Sequence, residues 1–425
     1  MRVLILAEYF PPDMGGGATR AYNVAKGLVI NGCSVTVIAA FPHYPTGDIP
    51  SKYRWKPLTV EYMDGFKVFR TFVPPLASEG IFKRLLLFLS FMVSSLFALP
   101  FVGRVDVVWA ANPNVICVFP GLVYAFVKRC PLVQNVDDLW PEALYDLGMS
   151  RRSLFARLSE FLARIAYNVS SAITPISPGY VKVICGKYGV DRGKVHVVRA
   201  GVDLSKFKVN DSVFSSDKEK FRVLYSGAFS MAYDFEQVLL AAKTLEKLDG
   251  IEFVLQGGGE LAEYLKSRVE ELKLKNVQIV DKIVSRDEVA KLLGEADALL
   301  LPLRDFGSPY LGISSKLYEY QAAGKPIICC AEGQPANYVK ETLSGIVVKP
   351  GDYGALVKAV LYLRENRELV EELGGNGRKY VEDKLSIEKI GSQMKKIFRA
   401  LLMRGSVSVA GATGISVNQC MKFCF

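Results

Sequence analysis

The fold class is decided by the run Val3-Leu4-Ile5-Leu6-Ala7, the glycines Gly15-Gly16-Gly17 and the helical pattern Ala18–Ile30 that follows them. A short apolar run of this length predicts a buried strand, and the glycines predict a tight turn into a helix. A second apolar run, Val35–Ala39, completes a strand–helix–strand unit. Such a unit joins parallel strands, so the chain is expected to open with a parallel sheet that helices cover on both faces.

The same alternation of short β-rich runs and helical patterns continues along the chain and predicts two α/β domains. A length of 425 residues exceeds one ordinary core and fits two. We predict an N-terminal domain over residues 1–200 and a C-terminal domain over residues 201–385. A helix over 386–403 is expected to cross back to the first domain, and 404–425 carries no readable pattern. The predicted strands are Val3–Ala7, Val35–Ala39, Lys67–Arg70, Val105–Trp109, Leu132–Gln134, Ala172–Thr174 and Val195–Val198, then Val223–Ser226, Glu252–Gln256, Val277–Val280, Ala298–Leu301, Pro326–Cys329 and Gly345–Val348.

Charge and cysteine content narrow the partners and the compartment. Lysine and arginine number 53 against 43 aspartates and glutamates, which favours contact with phosphates. The basic residues are not interleaved with aromatic ones, so nucleic acid is not an expected partner. The eight cysteines show no metal-ligand spacing and predict free thiols in a reducing compartment. The first apolar run is too short for a signal-peptide core, and we therefore expect a cytoplasmic protein.

Residues 85–102 form an uncharged apolar stretch between Lys83-Arg84 and Arg104. The stretch is long enough for a membrane span, but its three serines and Pro100 lie within an α/β pattern. The basic flanks and the apolar character on all sides favour a helix that lies in the membrane interface. We therefore expect peripheral contact with the cytoplasmic face of a membrane. A buried core helix is the alternative and stays open.

Two glycine clusters follow predicted strands. Gly15-Gly16-Gly17 precedes the first helix, and Gln256-Gly257-Gly258-Gly259-Glu260 ends a strand of the second domain. Glycine lets a ligand approach backbone N–H groups, so a phosphate, a base or an acceptor hydroxyl fits at such positions. The first cluster is neither a complete G-x-G-x-x-G nor followed by a P-loop lysine. A plain tight turn is equally compatible with the spacing of both clusters.

The segment richest in chemistry runs from Ser314 to Pro326 and reads SSKLYEYQAAGKP. Its serines predict the start of a helix and Gly324 predicts the end. Lys316 and Glu319 are three residues apart and share one face of that helix. This face would present a cation that binds phosphate beside a carboxylate that binds vicinal sugar hydroxyls. An ordinary surface ion pair between the two side chains is the alternative.

This helix closely resembles the signature of the family 4 retaining glycosyltransferases of the GT-B fold, in the WbuB-like branch of surface-polysaccharide assembly. Other stretches agree with the family in the same order, and together they span about residues 1–400. Ordered agreement of several motifs is far more specific than any single one. The resemblance implies an α/β protein of two Rossmann-like, doubly wound domains that face a central cleft. The matching stretches are Glu8–Pro12 with Gly15–Gly17, Phe41–Pro45 with Gly47, Asp138-Leu139-Trp140-Pro141-Glu142, and Gly201-Val202-Asp203.

The resemblance also implies a donor site in the second domain. The donor would be a nucleotide diphosphate sugar, with a UDP-sugar favoured, and neither a cofactor nor a metal would be required. Glu319 would hold the ribose hydroxyls, and the helix amides near Ser314 would face the diphosphate, with Lys316 adding positive charge. The expected donor-binding residues are Gly227, Gly257, Gly258, Gly259, Glu260, Ser314, Ser315, Lys316, Leu317 and Glu319.

The acceptor, lipid-linked or saccharide, would bind the first domain. Asp138 is the expected group of this domain near the reacting centre, although a carboxylate that caps the following helix is an equal alternative. Gly15, Gly16 and Gly17 with His43 are expected to form an acceptor or phosphate loop. For a reaction with retention, the leaving phosphate would assist deprotonation of the acceptor hydroxyl. The expected catalytic residues are Asp138, Lys316 and Glu319.

Two positions depart from the family pattern. Leu311 stands where the family often has a glutamate that contacts the donor sugar, and Ser226-Gly227-Ala228 is not followed by the usual basic residue. The sugar therefore stays open, and Lys316, alone or with Arg304, would carry the diphosphate charge. Two other functions also stay open. One is a non-catalytic subunit that keeps the fold and binds a partner, and the other is a non-hydrolysing nucleotide-sugar epimerase.

Overall fold

A computed structural model describes residues 1–13, 15–44, 46–77, 80–111, 115–146, 149–207, 220–305, 307 and 312–411. Within these residues the chain forms two β-sheets in succession, one of seven strands and one of six. Helices follow most strands, as expected for parallel sheets covered on both faces. The predicted α/β class and the two doubly wound units are confirmed.

The first sheet is centred on β1 and has the order β3-β4-β2-β1-β5-β6-β7. β1 pairs in parallel with β2 and with β5, and residues 3–7 are almost completely buried because both faces of the sheet are covered. The strands are β1 Arg2–Ala7, β2 Ser34–Ala40, β3 Leu58–Met63, β4 Phe66–Thr71, β5 Val107–Ala111, β6 Leu132–Val136 and β7 Ala172–Pro175. The helices are α1 Gly16–Ile30, α2 Ile81–Ser94, α3 Val118–Lys128, α4 Glu142–Asp146, α5 Leu154–Val169 and α6 Pro178–Gly186.

The second sheet is parallel throughout and has the order β10-β9-β8-β11-β12-β13. Its order reverses at β8, which therefore marks the switch point where such sheets bind ligands. The strands are β8 Phe221–Ala228, β9 Ile251–Gly258, β10 Val277–Asp281, β11 Ala298–Pro302, β12 Ile327–Cys330 and β13 Gly345–Val348. The helices are α7 Phe235–Leu245, α8 Ala262–Glu271, α9 Arg286–Glu295, α10 Ser315–Ala322, α11 Gly333–Glu341, α12 Tyr353–Glu365, α13 Arg367–Lys384 and α14 Ile387–Gly411.

Two strand predictions need correction. The edge strand β3 was not expected; it pairs antiparallel with β4 through a two-residue turn, Asp64-Gly65, in which both residues have positive φ. Asp-Gly is the sequence signal for that turn. The expected strand Val195–Val198 was wrong: only a single bridge joins Val195 to Ile173 of β7. The His196 and Val198 amides donate hydrogen bonds to the carbonyl oxygens of Ile173 and Pro175, and Pro175 is the last residue of β7, so the pairing goes no further.

The last helix, α14, packs against α1 of the first unit. Two glycines allow this close crossing. A Cβ atom on Gly27 would lie 2.2 Å from the carbonyl oxygen of Ile387, and one on Gly391 would lie 2.1 Å from that of Gly27. A second link between the units is Gln334 of α11, whose Oε1 accepts hydrogen bonds from the Ser177 hydroxyl and the Gly179 amide, each at 2.6 Å. These contacts hold the two sheets on opposite sides of a cleft.

The apolar stretch 85–102 lies in α2 and in the 3-10 segment Ser95–Phe101. In the described part of the chain, Phe82–Phe101 is the one helical stretch long and apolar enough to cross a membrane, with mean hydropathy 1.9, and 33% of it is buried inside the protein. Leu87 and Phe91 are fully buried in the core of the first unit. The stretch therefore has a core face and an exposed face, and contact of the exposed face with a membrane stays a prediction.

Candidate functional site

The helix α10 begins at Ser315, as the serines predicted, and this end of the helix faces Gly16 of the first unit across the cleft. Ser314 occupies the N-cap position with extended backbone angles, but its side chain makes no capping hydrogen bond among the described residues. The first amides of a helix have no partner within the helix, and they carry its positive dipole end. The N-terminus of α10 is therefore suited to an anion.

Lys316 lies in the first turn of α10 and points toward the end of β8. Its Nζ lies 5.5 Å from the ring centre of Tyr225 and 5.7 Å from that of Tyr233, within cation–π range. Gly227 leaves the space that this side chain needs, because a Cβ atom there would lie 1.7 Å from Nζ. No described carboxylate forms a salt bridge with Lys316. Its charge is thus held beside the glycine end of β8 and is neutralised by none of the described side chains.

Glu319 has a different partner from the one that the surface-pair alternative requires. Its carboxylate forms an ion pair with Arg286 at the start of α9, and only 14% of the Glu319 side chain is exposed against 39% of Arg286. Lys316 and Glu319 thus lie on one face of α10, but the structure pairs neither with the other. No local pattern marks Arg286 as the partner of Glu319, because the two residues are 33 positions apart.

The glycine ends of β8 and β9 lie side by side, since Gly227 is aligned with Gly257 and Ala228 with Gly258. Side chains would not fit between them: a Cβ atom on Gly257 would lie 1.7 Å from the carbonyl oxygen of Gly227. The close approach leaves an open backbone floor in front of Lys316. Gly259 and Glu260 continue this floor, and Glu260 accepts a hydrogen bond from the Met231 amide at 3.0 Å.

The glycine loop of the first unit faces α10 across the cleft. Gly15 is the N-cap of α1, with φ of 124°, and a Cβ atom on Gly16 would lie 3.4 Å from Oγ of Ser315. A Cβ atom on Gly17 would meet no described atom within 4 Å outside the helix's own backbone. Two helix N-termini therefore meet at the cleft, and both direct their amides toward it.

Asp138 follows β6 and opens into the cleft on the same side as Gly15–Gly17. Burial and, as the smaller cause, the neighbouring charge of Asp137 together raise the pKa of its carboxyl to about 6. None of the described groups donates a hydrogen bond to it, and α4 begins only at Glu142, so the capping alternative is not supported. Asp137 lies beside it and forms a 2.8 Å ion pair with Arg20, which is 3% exposed.

Arg20 was missed by the sequence analysis, although it organises this corner of the cleft. It donates hydrogen bonds of 2.7 Å to Oδ1 of Asn135 in β6 and to the carbonyl oxygen of Val198. Burial lowers the pKa of the guanidinium, and the charge of Asp137 opposes that effect. The pair fixes the loop that carries Asp138. An arginine inside α1 is common in surface helices, so no local pattern marked it.

His43 does not reach the cleft. It is 2% exposed, its Nδ1 lies 2.8 Å from the carbonyl oxygen of Phe41, and its ring stacks on Tyr9 at 5.4 Å. Tyr9 and Tyr44, not His43, line the cavity described below. The structure places the His43 side chain behind Tyr9 and Tyr44, which form the cavity wall, and a contact between His43 and the acceptor stays a prediction.

The departure at Leu311 lies outside the described residues. Its neighbour Gly312 packs against Tyr180 of the first unit, and a Cβ atom on Gly312 would lie 2.2 Å from the Tyr180 hydroxyl oxygen. That hydroxyl donates a 3.2 Å hydrogen bond to the carbonyl oxygen of Asp137. The chain leading into α10 is thereby joined to the loop that carries Asp138.

A cavity of about 1160 Å³ extends from this corner into the first unit. Gly15–Gly17, Asp137 and Asp138 line its polar end, and the rest of its wall comes largely from α2, α4 and α5. The donor-side residues of α10, β8 and β9 lie outside this wall. The predicted site residues thus fall into two groups that face each other, with His43 the exception.

Two family models match consecutive parts of the chain. The model for glycosyltransferase family 4 matches residues 14–206, and the model for glycosyl transferases group 1 matches residues 207–380. An uncharacterized glycosyltransferase of Methanocaldococcus jannaschii is 23% identical over 425 aligned positions, covering 95% of this chain and 99% of the relative. A protein of Escherichia coli K12 described as a colanic acid biosynthesis glycosyl transferase, WcaI, is 25% identical, with coverage of 85% and 91%.

Solved structures agree with this assignment. Sucrose-phosphate synthase from Thermosynechococcus elongatus superposes with a TM-score of 0.76 at 17% identity, covering 95% of this chain and 99% of that one. The Anabaena protein HepE, solved in complex with UDP-glucose, superposes with a TM-score of 0.65 at 15% identity, with coverage of 94% and 100%. At these identities the superpositions show the fold alone. The family models and the two facing sheets together identify the chain as a glycosyltransferase of family 4 with the GT-B fold.

Proposed function

We propose that the protein transfers a sugar, with retention of configuration, from a UDP-sugar to a lipid-linked or saccharide acceptor at the cytoplasmic face of a membrane. The observation that carries the proposal is the N-terminus of α10, which presents open amides and Lys316 in front of the glycine ends of β8 and β9. This arrangement suits a diphosphate leaving group, because dipole, amides and cation all stabilise the charge that develops on it.

The donor half of the proposal assigns the ribose to Glu319. The carboxylate is mostly buried at the wall of the site, and ionised acceptors form the stronger hydrogen bonds with hydroxyl groups. In the free protein Arg286 holds this carboxylate, so the guanidinium either shifts when ribose binds or shares Glu319 with it. The UDP-glucose complex of HepE, a protein of the same fold, supports the choice of a UDP-sugar.

The acceptor half of the proposal assigns the reacting hydroxyl to the space between Asp138 and Gly15–Gly17. The first unit faces the N-terminus of α10 there, so a hydroxyl bound at this point lies against the sugar of the donor. Proximity of this kind is a large part of catalysis in transfer reactions. With retention, the leaving phosphate accepts the proton of the attacking hydroxyl, and Asp138 orients that hydroxyl.

A metal ion is not part of the proposed mechanism. Lys316 and the amides of α10 supply the positive charge that a metal provides in other phosphate sites. We further propose surface-polysaccharide assembly as the setting, because the E. coli relatives are described as acting in colanic acid and O-antigen synthesis.

The proposal is tested by melting curves of the purified protein with UDP-, GDP- and dTDP-sugars. A ligand at 100 times its Kd stabilises the folded state by about 2.7 kcal/mol, which raises the melting temperature by roughly 5–10 °C for domains of this size. We expect the shift with one nucleotide series and its loss in Lys316→Ala. Lys291→Ala on the exposed face of α9 is the control and keeps the shift. No shift with any nucleotide would favour the non-catalytic subunit.

A further inference from the structure

A large part of the cavity wall is built from apolar side chains of two helices, α2 and α5. α2 contributes Leu85, Phe88 and Met92, and α5 contributes Phe155 and Leu162. Both helices pack against the turn Val115–Cys117, which spaces them apart. The volume of about 1160 Å³ exceeds the roughly 300–1,000 Å³ of ordinary small-molecule pockets. A sugar and its hydroxyl groups would find few hydrogen-bond partners among these side chains, so this part of the cavity suits an apolar ligand.

The cavity opens to the outside between the two helices. Leu89 of α2 and Leu158 of α5 line the cavity and are 40% and 52% exposed, and Leu86 and Phe161, about one turn away on the same helices, are exposed outside the cavity wall. A residue that lies both in the wall and on the surface marks the rim of an opening. An apolar chain therefore has a route from the outside of the first unit to the polar end at Asp138.

The surface around this opening is itself apolar. Phe82 and Val93 of α2 are exposed on one side, and Leu154 and Phe161 of α5 are exposed on the other. On α5 the exposed apolar residues 154, 158 and 161 recur at helical spacing, so they form one stripe of an amphipathic helix. Exposed apolar surface of this kind marks a place where a partner or a membrane binds.

Basic residues accompany the apolar surface and favour an anionic ligand. Arg84 of α2 lines the cavity, Lys83 is exposed beside it, and Arg151 and Arg152 are exposed just before α5. Arginine and lysine next to an apolar face are typical of proteins that contact anionic lipid. The opening thus combines apolar side chains for a hydrocarbon with cations for phosphate.

We propose that the cavity between α2 and α5 binds the hydrocarbon chain of the acceptor lipid. The chain enters between Leu89 and Leu158 from the membrane, and its phosphate-bearing head lies toward Arg84 and Gly15–Gly17, with the reacting hydroxyl at Asp138. This inference rests on the proposed function and narrows the acceptor from lipid-linked or saccharide to lipid-linked. The exposed stripes of α2 and α5 then lie in the membrane interface on either side of the entrance.

Trp140 lines the cavity and reports directly on its content. Trp55 is fully exposed and would respond to any probe in solution, so the test uses Trp55→Phe, which leaves the buried Trp109 as a constant background. The probe is an alkyl phosphate with a nitroxide spin label in mid-chain, added without vesicles and below its micelle concentration. We expect saturable quenching of Trp140, and tighter binding of this probe than of the labelled alcohol of equal chain length.

The matched variants fill the cavity or leave it alone. Ala143→Phe and Ser159→Leu place extra side-chain volume in the wall, and Ala400→Phe adds the same ring as Ala143→Phe on the exposed face of α14. We expect the first two to weaken the probe at least tenfold, and the third to leave it unchanged. Two cavity variants guard against one that fails to fold.

Melting shifts with UDP, measured on the same proteins, separate the two hypotheses. If UDP still binds but the probe does not quench Trp140, the hydrocarbon site alone is overturned. The same holds if UDP still binds and both cavity variants keep the quenching of the parent protein. A parent protein that UDP fails to stabilise would overturn the proposed function. Equal quenching by the phosphate and the alcohol would overturn the placement of the head at Arg84.

Discussion

Replacing Glu319 by alanine is expected to weaken UDP binding by a factor that follows from its two partners. Hydrogen bonds to a charged group contribute about 1.5–3 kcal/mol, and the substitution removes those between ribose and carboxylate. The ion pair with Arg286, which is 39% exposed and therefore worth about 0–1 kcal/mol, no longer has to loosen when ribose binds. The net loss is about 0.5–3 kcal/mol, or roughly 2- to 150-fold in Kd.

Isothermal titration with UDP at fixed ionic strength measures this loss. Arg286→Ala frees the carboxylate and is expected to leave the affinity unchanged or to raise it up to about fivefold, since it removes only the competing pair. Glu263→Ala, on the exposed face of α8, is the control for the loss of a carboxylate. A Kd for Glu319→Ala within twofold of the parent protein would refute the assignment of the ribose to this residue.

Three further outcomes follow from the geometry. Because the pKa of Asp138 rises from 3.8 to about 6 on folding, the folded state loses stability as pH rises from about 4 to 6. Asp138→Asn should therefore raise the free energy of unfolding at pH 8 by of order 1 kcal/mol, since cleft water reaches the side chain, and should leave it unchanged at pH 4. Equal gains in melting temperature at both pH values would contradict this. Gly257→Ala sets a Cβ atom 1.7 Å from a backbone oxygen and should lower the free energy of unfolding by about 2 kcal/mol or more. Gly375→Ala, in open space on α13, should raise it by about 0.5–1 kcal/mol. Similar melting curves for the two variants would count against the close pairing of β8 with β9. Sugar transfer, followed by release of nucleoside diphosphate, should survive excess EDTA, and its loss with recovery on adding a divalent cation would show that Lys316 and the amides are insufficient.

The sequence was sufficient for the elements that depend on local pattern. Short apolar runs such as Val3–Ala7 predicted buried parallel strands, because a strand covered on both faces is apolar at every position. The segment that begins at Ser314 predicted α10, since capping residues and a terminal glycine bound it. The resemblance had grouped the glycines at 227 and 257 with Lys316 as donor-binding residues, and the two glycines lie side by side at the carboxyl ends of β8 and β9.

Features that depend on distant partners were beyond local pattern. Arg286 reaches Glu319 from another helix, and Arg20 reaches Asp137 from another βα unit, so neither pair leaves a mark in its own segment. In the stretch 85–102 almost every position is apolar, and a helix of that kind has no polar face to show which side is buried. Only the packing of Leu87 and Phe91 against the sheet reveals its inner face.

A crystal structure of the protein with UDP would test the central claim most directly. We predict that the diphosphate lies at the N-terminal amides of α10 within reach of Lys316 Nζ, and that the ribose hydroxyls lie on the Glu319 carboxylate with Arg286 displaced or shared. The glycine ends of β8 and β9 should contact the nucleotide without moving. A nucleotide bound elsewhere, with the Glu319–Arg286 pair intact and the amides of α10 facing only solvent, would contradict the account.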